Sequence, residues 1–309
     1  MSDFNERERV RWLADFFGAL DGDETGIGDD AALIKPGGEH LYALTIDTLT
    51  EGRHFRREQA GPGQIGHKSA AVSLSDLAAM GARPETMLVS SGFEASLPEE
   101  DVKQLFEGIR TACDPFSCSV SGGDLYGRDG GTTITTVALG PCPYQPVRRN
   151  GLSDGDLLYV TGPLGGSIRG RHLSFTPRVR EGLWLAEHGF ATAMMDVSDG
   201  IVIDLDRMLE QSNQPGAVLF EDRIPVHPDA EQLARDDDRS ALQHALYDGE
   251  DFELLLGVDP EHAQELENQY PHSPPLIRVG RVSTDLEGIR LEQPDGSLTE
   301  LNPDGYQHF

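Results

Sequence analysis

Short apolar runs of strand type alternate with helical segments along this chain. Residues 41–47 (LYALTID) have the composition of a buried strand, which the pattern ends at Asp47. Residues 64–80 carry small and apolar side chains on most sides, as expected of a buried helix, and Gly81 supplies its stop. The first half of the chain is therefore predicted to contain a strand followed by an enclosed helix.

Two more strands and a helix are predicted before residue 140. Residues 86–93 and 132–139 are β-prone. Between them, Ser96 and Glu99 have the spacing of a capping box, which predicts a helix start at Ser96. The apolar residues that follow at helical spacing are Val102, Leu105, Phe106 and Ile109.

A Pro-rich stretch from Pro141 to Pro146 is the best candidate for a domain boundary. The strands predicted beyond it are 156–161, 193–197, 252–258 and 276–282. The helices predicted there lie at 178–188 and directly after Ser198, which can act as an N-cap. Because strands and helices mix in both halves, we predict a two-domain α/β and α+β protein, divided into residues 1–145 and 146–309.

Acidic residues beside glycine recur where strands are predicted to end. The groups are Gly28-Asp29-Asp30, Thr45-Ile46-Asp47, Gly122-Gly123-Asp124, Asp196-Val197-Ser198-Asp199-Gly200 and Gly249-Glu250-Asp251. Carboxylates gathered at one rim of a sheet repel each other and cannot all stay ionised unless cations lie between them. Mg²⁺ prefers oxygen ligands and commonly joins carboxylates to substrate phosphates. The pattern therefore predicts a Mg²⁺-dependent enzyme that acts on phosphates.

The composition excludes several classes of protein. The chain has 53 acidic and 25 basic residues and a formal charge of −28, which disfavours nucleic acid as a partner. No apolar run approaches the ~18 residues that cross a bilayer, and the charged N-terminus lacks the apolar core of a signal peptide. We therefore expect a cytoplasmic protein that does not bind membranes. The sparse cysteines, Cys113, Cys118 and Cys142, predict reduced thiols.

Each acidic group also has a purely structural explanation. Asp76, near the end of an apolar helix where the helix dipole disfavours negative charge, could form an ion pair with Lys68 or an arginine. Asp199 could serve simply to cap a helix, and Gly122–Asp124 could be a hairpin turn. The sequence contains no P-loop, no strand-linked GxGxxG and no protein-kinase motif set, so nucleotide chemistry requires another architecture.

In their order along the chain, these groups resemble the motifs of the thiamine-monophosphate kinase family. The motifs are Gly26–Ala32, Asp47–Phe55, Lys68–Gly81, Gly122–Asp124, Asp196–Gly200 and Gly249–Leu254. The resemblance implies the aminoimidazole-ribotide synthetase-like fold, in which two N-terminal domains join into a homodimer with a β-barrel core. It also implies phosphoryl transfer from ATP to thiamine monophosphate, which gives ADP and thiamine diphosphate, with several Mg²⁺ ions between carboxylates and phosphates.

The resemblance further implies roles for individual residues. The metal ligands would be Asp30, Thr45, Asp47, Asp76, Asp124, Asp196 and Asp199. Catalysis would depend most on Asp47, Asp76 and Asp199. ATP would contact Gly123, Asp124, Arg149 and Ser198. Thiamine monophosphate would contact His54, Glu250 and Tyr306, whose ring suits the cationic thiazolium.

Two positions depart from the family pattern, because Ile46 and Leu125 stand where threonine is common. Neither change removes a carboxylate.

The acceptor oxygen of thiamine monophosphate is already anionic near neutral pH, so we expect direct in-line transfer without a phosphoenzyme.

Several alternatives remain open. Within the superfamily they are selenophosphate synthetase, the hydrogenase-maturation dehydratase and aminoimidazole-ribotide synthetase. The first two usually carry a reactive cysteine, in an N-terminal Gly-rich segment or at the C-terminus, and this chain has neither and ends in Phe309. The alternative from a different class is a non-catalytic protein that binds divalent cations.

Overall fold

The computed structural model describes residues 6–18, 24–38 and 40–305, which form two mixed β-sheets covered by helices. The N-terminal sheet has five strands and the C-terminal sheet has seven. Each sheet contributes strand ends or adjacent loops to the same cavity, which is described below.

The first sheet has the strand order β1-β2-β5-β3-β4. Its strands are β1 (Ala32–Ile34), β2 (Leu41–Thr50), β3 (Thr86–Phe93), β4 (Ser119–Gly127) and β5 (Thr133–Cys142). β3 and β4 run parallel, whereas the other neighbouring strands are antiparallel. β1 and β4 form the two edges, so this sheet is open and does not close into a barrel within the described part of the chain.

Two helices pack on this sheet, α2 (Pro62–Ala79) and α3 (Glu99–Cys113). Most side chains of α2 are buried, because the helix is covered by the sheet, by α3 and by the C-terminal half. This explains why its sequence is small and apolar on most sides instead of amphipathic. A further helix, α1 (Glu6–Phe17), precedes the sheet, and its Arg7 lies 2.6 Å from Asp206 of the C-terminal half.

Backbone contact brings α2 and α3 unusually close together. A Cβ atom on Gly66 would lie 1.8 Å from the carbonyl oxygen of Leu105, and one on Gly108 would lie 1.9 Å from the carbonyl oxygen of Gly63. Glycine is needed at both positions because any side chain would overlap the facing backbone. This close contact between α2 and α3 holds α2 in place over the sheet.

The second sheet has the strand order β12-β11-β8-β10-β6-β9-β7. Its strands are β6 (Leu157–Val160), β7 (Ala191–Asp196), β8 (Gly216–Phe220), β9 (Leu254–Val258), β10 (Ile277–Val282), β11 (Gly288–Glu292) and β12 (Leu298–Leu301). The helices of this half are α4 (Val179–His188), α5 (Ile201–Gln211), α6 (Pro228–Leu233), α7 (Ala241–Tyr247) and α8 (Pro260–Gln269).

The C-terminal turns of α2 join the two halves. A Cβ atom on Gly182 of α4 would lie 2.1 Å from the carbonyl oxygen of Ala78, so the two helices meet backbone to backbone. Ser75 donates a hydrogen bond of 2.6 Å to Asp196 at the end of β7. α2 therefore holds a strand end of the second sheet in a fixed position relative to the first sheet.

Most predicted elements are confirmed. The strand at 86–93 is confirmed, and the helix predicted over 64–80 begins two residues earlier, at Pro62. Gly81 has a φ of 64°, the left-handed conformation that ends a helix. Among the described helices, none is long and apolar enough to cross a membrane.

Two predicted strand ends are wrong. β2 does not end at Asp47 but continues to Thr50, because its pairing with β5 runs on to Thr133. Gly122–Asp124 is not a turn; it lies inside β4 and pairs with β3, and a Cβ atom on Gly123 would lie 1.8 Å from the carbonyl oxygen of Val89. Glycine is needed there because β3 and β4 approach each other closely, not because the chain reverses direction.

Both predicted helix caps are also wrong. Pro98, not Ser96, is the N-cap of α3, and the Ser96 hydroxyl contacts Glu94 instead. Gly200, not Ser198, is the N-cap of α5. Its φ of 118° is a conformation that side chains other than glycine rarely adopt, which moves the helix start beyond the serine.

We predict that Gly66→Ala lowers the free energy of unfolding by about 1–3 kcal/mol, because the added methyl group forces α2 away from α3. Gly63→Ala in the same helix is the matched control, since its Cβ would make only an ordinary 3.6 Å contact with Gln104. That control is expected to be neutral or to stabilise by about 0.5–1 kcal/mol. Urea denaturation measures both, and equal effects would contradict the backbone contact as the cause.

Candidate active site

Three carboxyl groups from distant parts of the sequence converge between the two halves. Asp30 precedes β1, Asp76 lies near the end of α2 and Asp196 ends β7; one oxygen from each lies within 4.8 Å of the others. Asp47 of β2 shares a hydrogen bond with Asp76. We call Asp30, Asp47, Asp76 and Asp196 the carboxylate cluster. The prediction that these residues gather is confirmed by their positions.

Hydroxyl groups on α2 and β2 orient the cluster. Ser73 donates to Asp47 at 2.8 Å, and Ser75 donates to Asp196 at 2.6 Å. Thr45, two residues before Asp47 on the same face of β2, donates to Asp76. Each of these carboxylates receives a neutral donor, which fixes its direction without cancelling its charge.

Enclosure by protein raises the pKa of Asp47, Asp76 and Asp196. Loss of water raises the pKa of Asp76 well above its usual range, and the charges of Asp47, Asp196 and Asp30 raise it further. Loss of water also raises the pKa of Asp196, with repulsion from Asp30 second. Such a group is stabilised in its ionised form by a cation between the oxygens. The donor set is all oxygen, which suits Mg²⁺.

One arginine lies against the cluster. Arg149 donates to both oxygens of Asp30, from Nε at 2.9 Å and from Nη2 at 2.5 Å. Burial opposes the arginine charge, but attraction to Asp30 outweighs it and raises the pKa of Arg149. The neighbouring Asp29 is held beside the same side chain, and burial raises its pKa to about 6. Asp30 keeps further lone pairs for a cation while it is bound to the arginine.

The cluster forms one end of a cavity of about 1320 Å³. The predicted site residues that line it are Asp47, His54, Asp76, Asp196, Ser198, Asp199 and Glu250. Asp30 belongs to the cluster without being among the lining residues, Arg149 bonds to Asp30, and Thr45 bonds to Asp76. The cavity thus joins a carboxylate end to a polar end that carries His54 and Glu250.

The polar end is held in a strained backbone conformation. Glu250 and Phe252 have φ values of 64° and 53°, which are uncommon for residues other than glycine and cost about 1–3 kcal/mol each. Asp251 between them is buried and pairs with Arg171 at 2.8 Å. The Phe252 ring stacks on Phe175 with centroids 4.2 Å apart. These anchors fix the direction in which Glu250 faces the cavity.

Comparison with known proteins shows which family has this arrangement. Residues 28–142 match the profile of the AIR synthase related protein, N-terminal domain. A thiamine-monophosphate kinase from Rhodopirellula baltica is 39% identical to this chain, over 92% of the chain and 90% of that relative. This chain belongs to the thiamine-monophosphate kinase family. The resemblance found in the sequence motifs is therefore confirmed.

Two solved structures have the same fold. The structure of AaThiL complexed with AMPPCP and TMP is 25% identical and has a TM-score of 0.86, covering 100% of this chain and 98% of that one. The HypE–HypF complex contains a chain with a TM-score of 0.77 at 20% identity, covering 94% of this chain and 98% of that chain. The second comparison shows the shared fold alone.

Two of the residues that family membership suggests for the site lie elsewhere. Gly123 and Asp124 are on the exposed edge strand β4, and Asp124 pairs with Ser90. Asp124 projects from the face opposite to Asp47, because the two occupy adjacent rows of the same sheet. The structure does not bring Asp124 to the cluster within this chain, so its role stays a prediction. Tyr306 lies outside the described residues.

Sequence reasoning missed Asp204, which organises the loop between β7 and α5. Its Oδ2 accepts hydrogen bonds from the backbone N–H groups of Ser198 at 3.1 Å and Asp199 at 3.0 Å. Burial raises the pKa of Asp204 to about 7, and Arg207 bonds to both Asp204 and Asp199. A carboxylate on the otherwise apolar face of α5 was the available signal.

We predict that Mg²⁺ stabilises the protein more at about pH 8 than at about pH 5.5, because the carboxyls must lose their protons to bind a cation. A raised pKa in the fold also means that ionisation destabilises the cation-free protein. Without Mg²⁺, stability contributed by Asp29 is lost as pH rises from about 4 towards its folded pKa of about 6. The raised pKa of Asp76 extends this loss to higher pH.

Thermal denaturation at both pH values, in EDTA and in Mg²⁺, measures the difference. Asp76→Asn should abolish most of the Mg²⁺-dependent shift at the higher pH, whereas Asp295→Asn on the surface should retain it. An equal shift at both pH values would contradict cation binding by these carboxyls.

Proposed function

We propose that this chain transfers the γ-phosphoryl group of ATP to the phosphate of thiamine monophosphate, which yields ADP and thiamine diphosphate. The carrying observation is the carboxylate cluster at one end of a cavity whose other end presents His54 and Glu250. The curated relative is named for this activity, and AaThiL has been solved with an ATP analogue and TMP. Both facts support the proposal.

Mg²⁺ fits the donor set of the cluster. We assign Asp30, Asp47, Asp76 and Asp196 as its ligands, with Thr45 as a hydroxyl neighbour and Asp199 beside the loop that carries Ser198. When bound, Mg²⁺ would offset the repulsion between two phosphate groups. Asp124 remains assigned to metal and ATP by the family motif.

The chain's own residues would act mainly by positioning. The backbone loop at Ser198 and Asp199, fixed by Asp204, would hold the nucleotide, and Arg149 would add positive charge beside the phosphates. Gly123 would contact ATP by the same motif. His54, Glu250 and Tyr306 would hold the acceptor. The attacking phosphate oxygen needs no general base, so both substrates bind before direct in-line transfer.

The cysteines give no support to a covalent route. Cys113, Cys118 and Cys142 are free and buried in the core of the first half, not in the lining of the cavity. The carboxylates are committed to the cation. Direct transfer therefore requires the fewest additional roles.

Incubation with γ-labelled ATP and Mg²⁺ tests the activity. Label should enter thiamine diphosphate only when thiamine monophosphate is present, and the denatured protein should carry none. Stoichiometric label on the protein that chases into product would exclude the direct route. Cation binding without any labelled product would favour the non-catalytic alternative.

We predict that Asp47→Asn lowers turnover by at least about a hundredfold, because a neutral amide replaces a charged ligand at the point where phosphate charge is stabilised. The fold should remain, since Ser73 can still donate to the amide oxygen. Turnover at saturating Mg²⁺ measures the effect, with Asp101→Asn on α3 as the control. Near-normal turnover would contradict the assignment of Asp47.

We also propose that two copies associate through the outer face of the first sheet, and that residues 1–145 and 146–309 are the two domains. The sheet exposes several large apolar side chains, and β4 is an unprotected edge strand. On that outer face they are Ile46, Leu88 and Tyr126, and Val120 and Leu125 are exposed on the edge strand β4. One sheet on each side of residue 146 supports the division.

Light scattering after size exclusion should give a mass near twice the chain's 33.7 kDa. Leu88→Glu should shift the protein to the monomer, because it places a charge in the proposed interface. Leu298 on β12 is similarly exposed, 47% against 46%, so Leu298→Glu should leave the dimer intact. A monomeric wild-type protein would contradict the proposal.

A further inference from the structure

A fully buried lysine lies beneath the polar end of the cavity. The Lys68 side chain on α2 is 0% exposed, whereas that of Lys103 on α3 is 61% exposed. Burial of an ammonium group is costly unless hydrogen bonds and an opposite charge compensate it. The position of Lys68 is therefore maintained by specific partners.

Its partners belong to two different loops. Lys68 Nζ donates to Glu250 Oε1 at 2.5 Å and to the carbonyl oxygen of His54 at 2.8 Å. These loops come from opposite halves of the chain. One ammonium group thus connects the two residues of the cavity that the family motif assigns to thiamine monophosphate.

The backbone on both sides of this contact is already fixed. Glu250 N–H donates to the carbonyl oxygen of Ser198 at 2.7 Å. His54 Nδ1 accepts from the Thr50 N–H at 2.9 Å, which ties its ring to the end of β2. The Glu250 carboxylate is the remaining movable part, and Lys68 determines where it rests.

The same helix holds part of the carboxylate cluster. Lys68, Val72 and Asp76 are spaced four residues apart and follow one side of α2. At about 1.5 Å per residue, the helix separates Lys68 from Asp76 by about 12 Å along its axis. A rigid helix therefore sets the distance between the carboxylate cluster and the polar end of the cavity.

We propose that Lys68 is a positioning residue that fixes Glu250 and the His54 loop at a set distance from the carboxylate cluster, and thereby determines the affinity for the phosphate acceptor. This inference rests on the proposed function. Lys68 does not line the cavity, and it acts on the acceptor through Glu250 and His54. A pure charge-tuning role would have the opposite effect, because removing the ammonium would leave Glu250 more attractive to a cationic thiazolium.

Steady-state kinetics of Lys68→Met separate these roles. KM for thiamine monophosphate should rise about tenfold, the loss expected from removing a hydrogen bond to a charged group, while KM for ATP changes by less than about twofold. Lys68→Arg, which keeps a charge and donors, should recover part of the affinity. Lys103→Met removes an exposed lysine and its ion pair with Glu99 and should change neither constant.

A double variant tests whether Lys68 acts through Glu250. Glu250→Gln combined with Lys68→Met should have a KM for the acceptor close to that of the worse single variant, not the product of both effects. The double variant also keeps the test valid if Lys68→Met alone unfolds, because it removes the unpaired carboxylate. Thermal denaturation confirms that each variant is folded.

Three results would overturn the inference. They are an unchanged or lowered KM for thiamine monophosphate in Lys68→Met, an equal rise in both KM values, and fully multiplicative effects in the double variant. The wild-type enzyme is measured first with both substrates. Absence of product there contradicts the proposed function, whereas a normal acceptor KM in an active Lys68→Met enzyme contradicts only the role of Lys68.

Discussion

Repulsion among the enclosed carboxyl groups is the constraint on which the rest of this structure depends. Asp30, Asp47, Asp76 and Asp196 come from a loop, two strands and a helix, and only the complete fold brings them together. Hydroxyl donors orient three of them, and Arg149 orients the fourth. None of the hydroxyls neutralises a charge, so the arrangement favours binding of a cation over internal compensation. Free energy that the fold loses by enclosing these groups would be recovered on binding of a cation, which would link metal binding to stability.

Helix α2 connects the carboxylate cluster to both halves of the molecule. Its first half meets α3 by backbone contact, and its last turns meet α4 and the end of β7. Its interior faces hold Lys68 at one level, and Ser73, Ser75 and Asp76 at another. A helix that touches partners on all sides cannot tilt to accommodate one of them without disturbing the others. The composition follows from this, because small residues are required wherever another backbone approaches.

The sequence predicted which helices and strands exist better than it predicted where they end. It also predicted the carboxylate cluster better than the residues that orient it. The unbroken run of small and apolar residues, ended by Gly81, locates α2 within two residues, but the sequence cannot show that β2 continues past Asp47 into a ladder with β5. Motif order, not spacing, indicated that Asp76 and Asp196 meet, since their contact depends on how the two halves pack. Asp204 was missed because nothing in the sequence shows that its carboxylate binds the backbone N–H groups of the preceding loop. Likewise, the glycines of β4 suggested a turn, since close strand packing and chain reversal require the same residue.

The large surface charge and the enclosed acid of the cluster have different physical consequences. A formal charge of −28 repels ATP and thiamine phosphates at long range, and salt screens that repulsion, with a Debye length of about 8 Å at physiological ionic strength and about 3 Å at 1 M. One oxygen from each of Asp30, Asp76 and Asp196 lies within 4.8 Å of the others, and these groups are enclosed by protein, so salt screens their charges much less. Ionic strength therefore alters how often anionic substrates reach the cavity. It has little effect on the repulsion among the cluster carboxylates, which favours binding of a cation. The acidic surface and the acidic site are separate properties, and only the second depends on the fold.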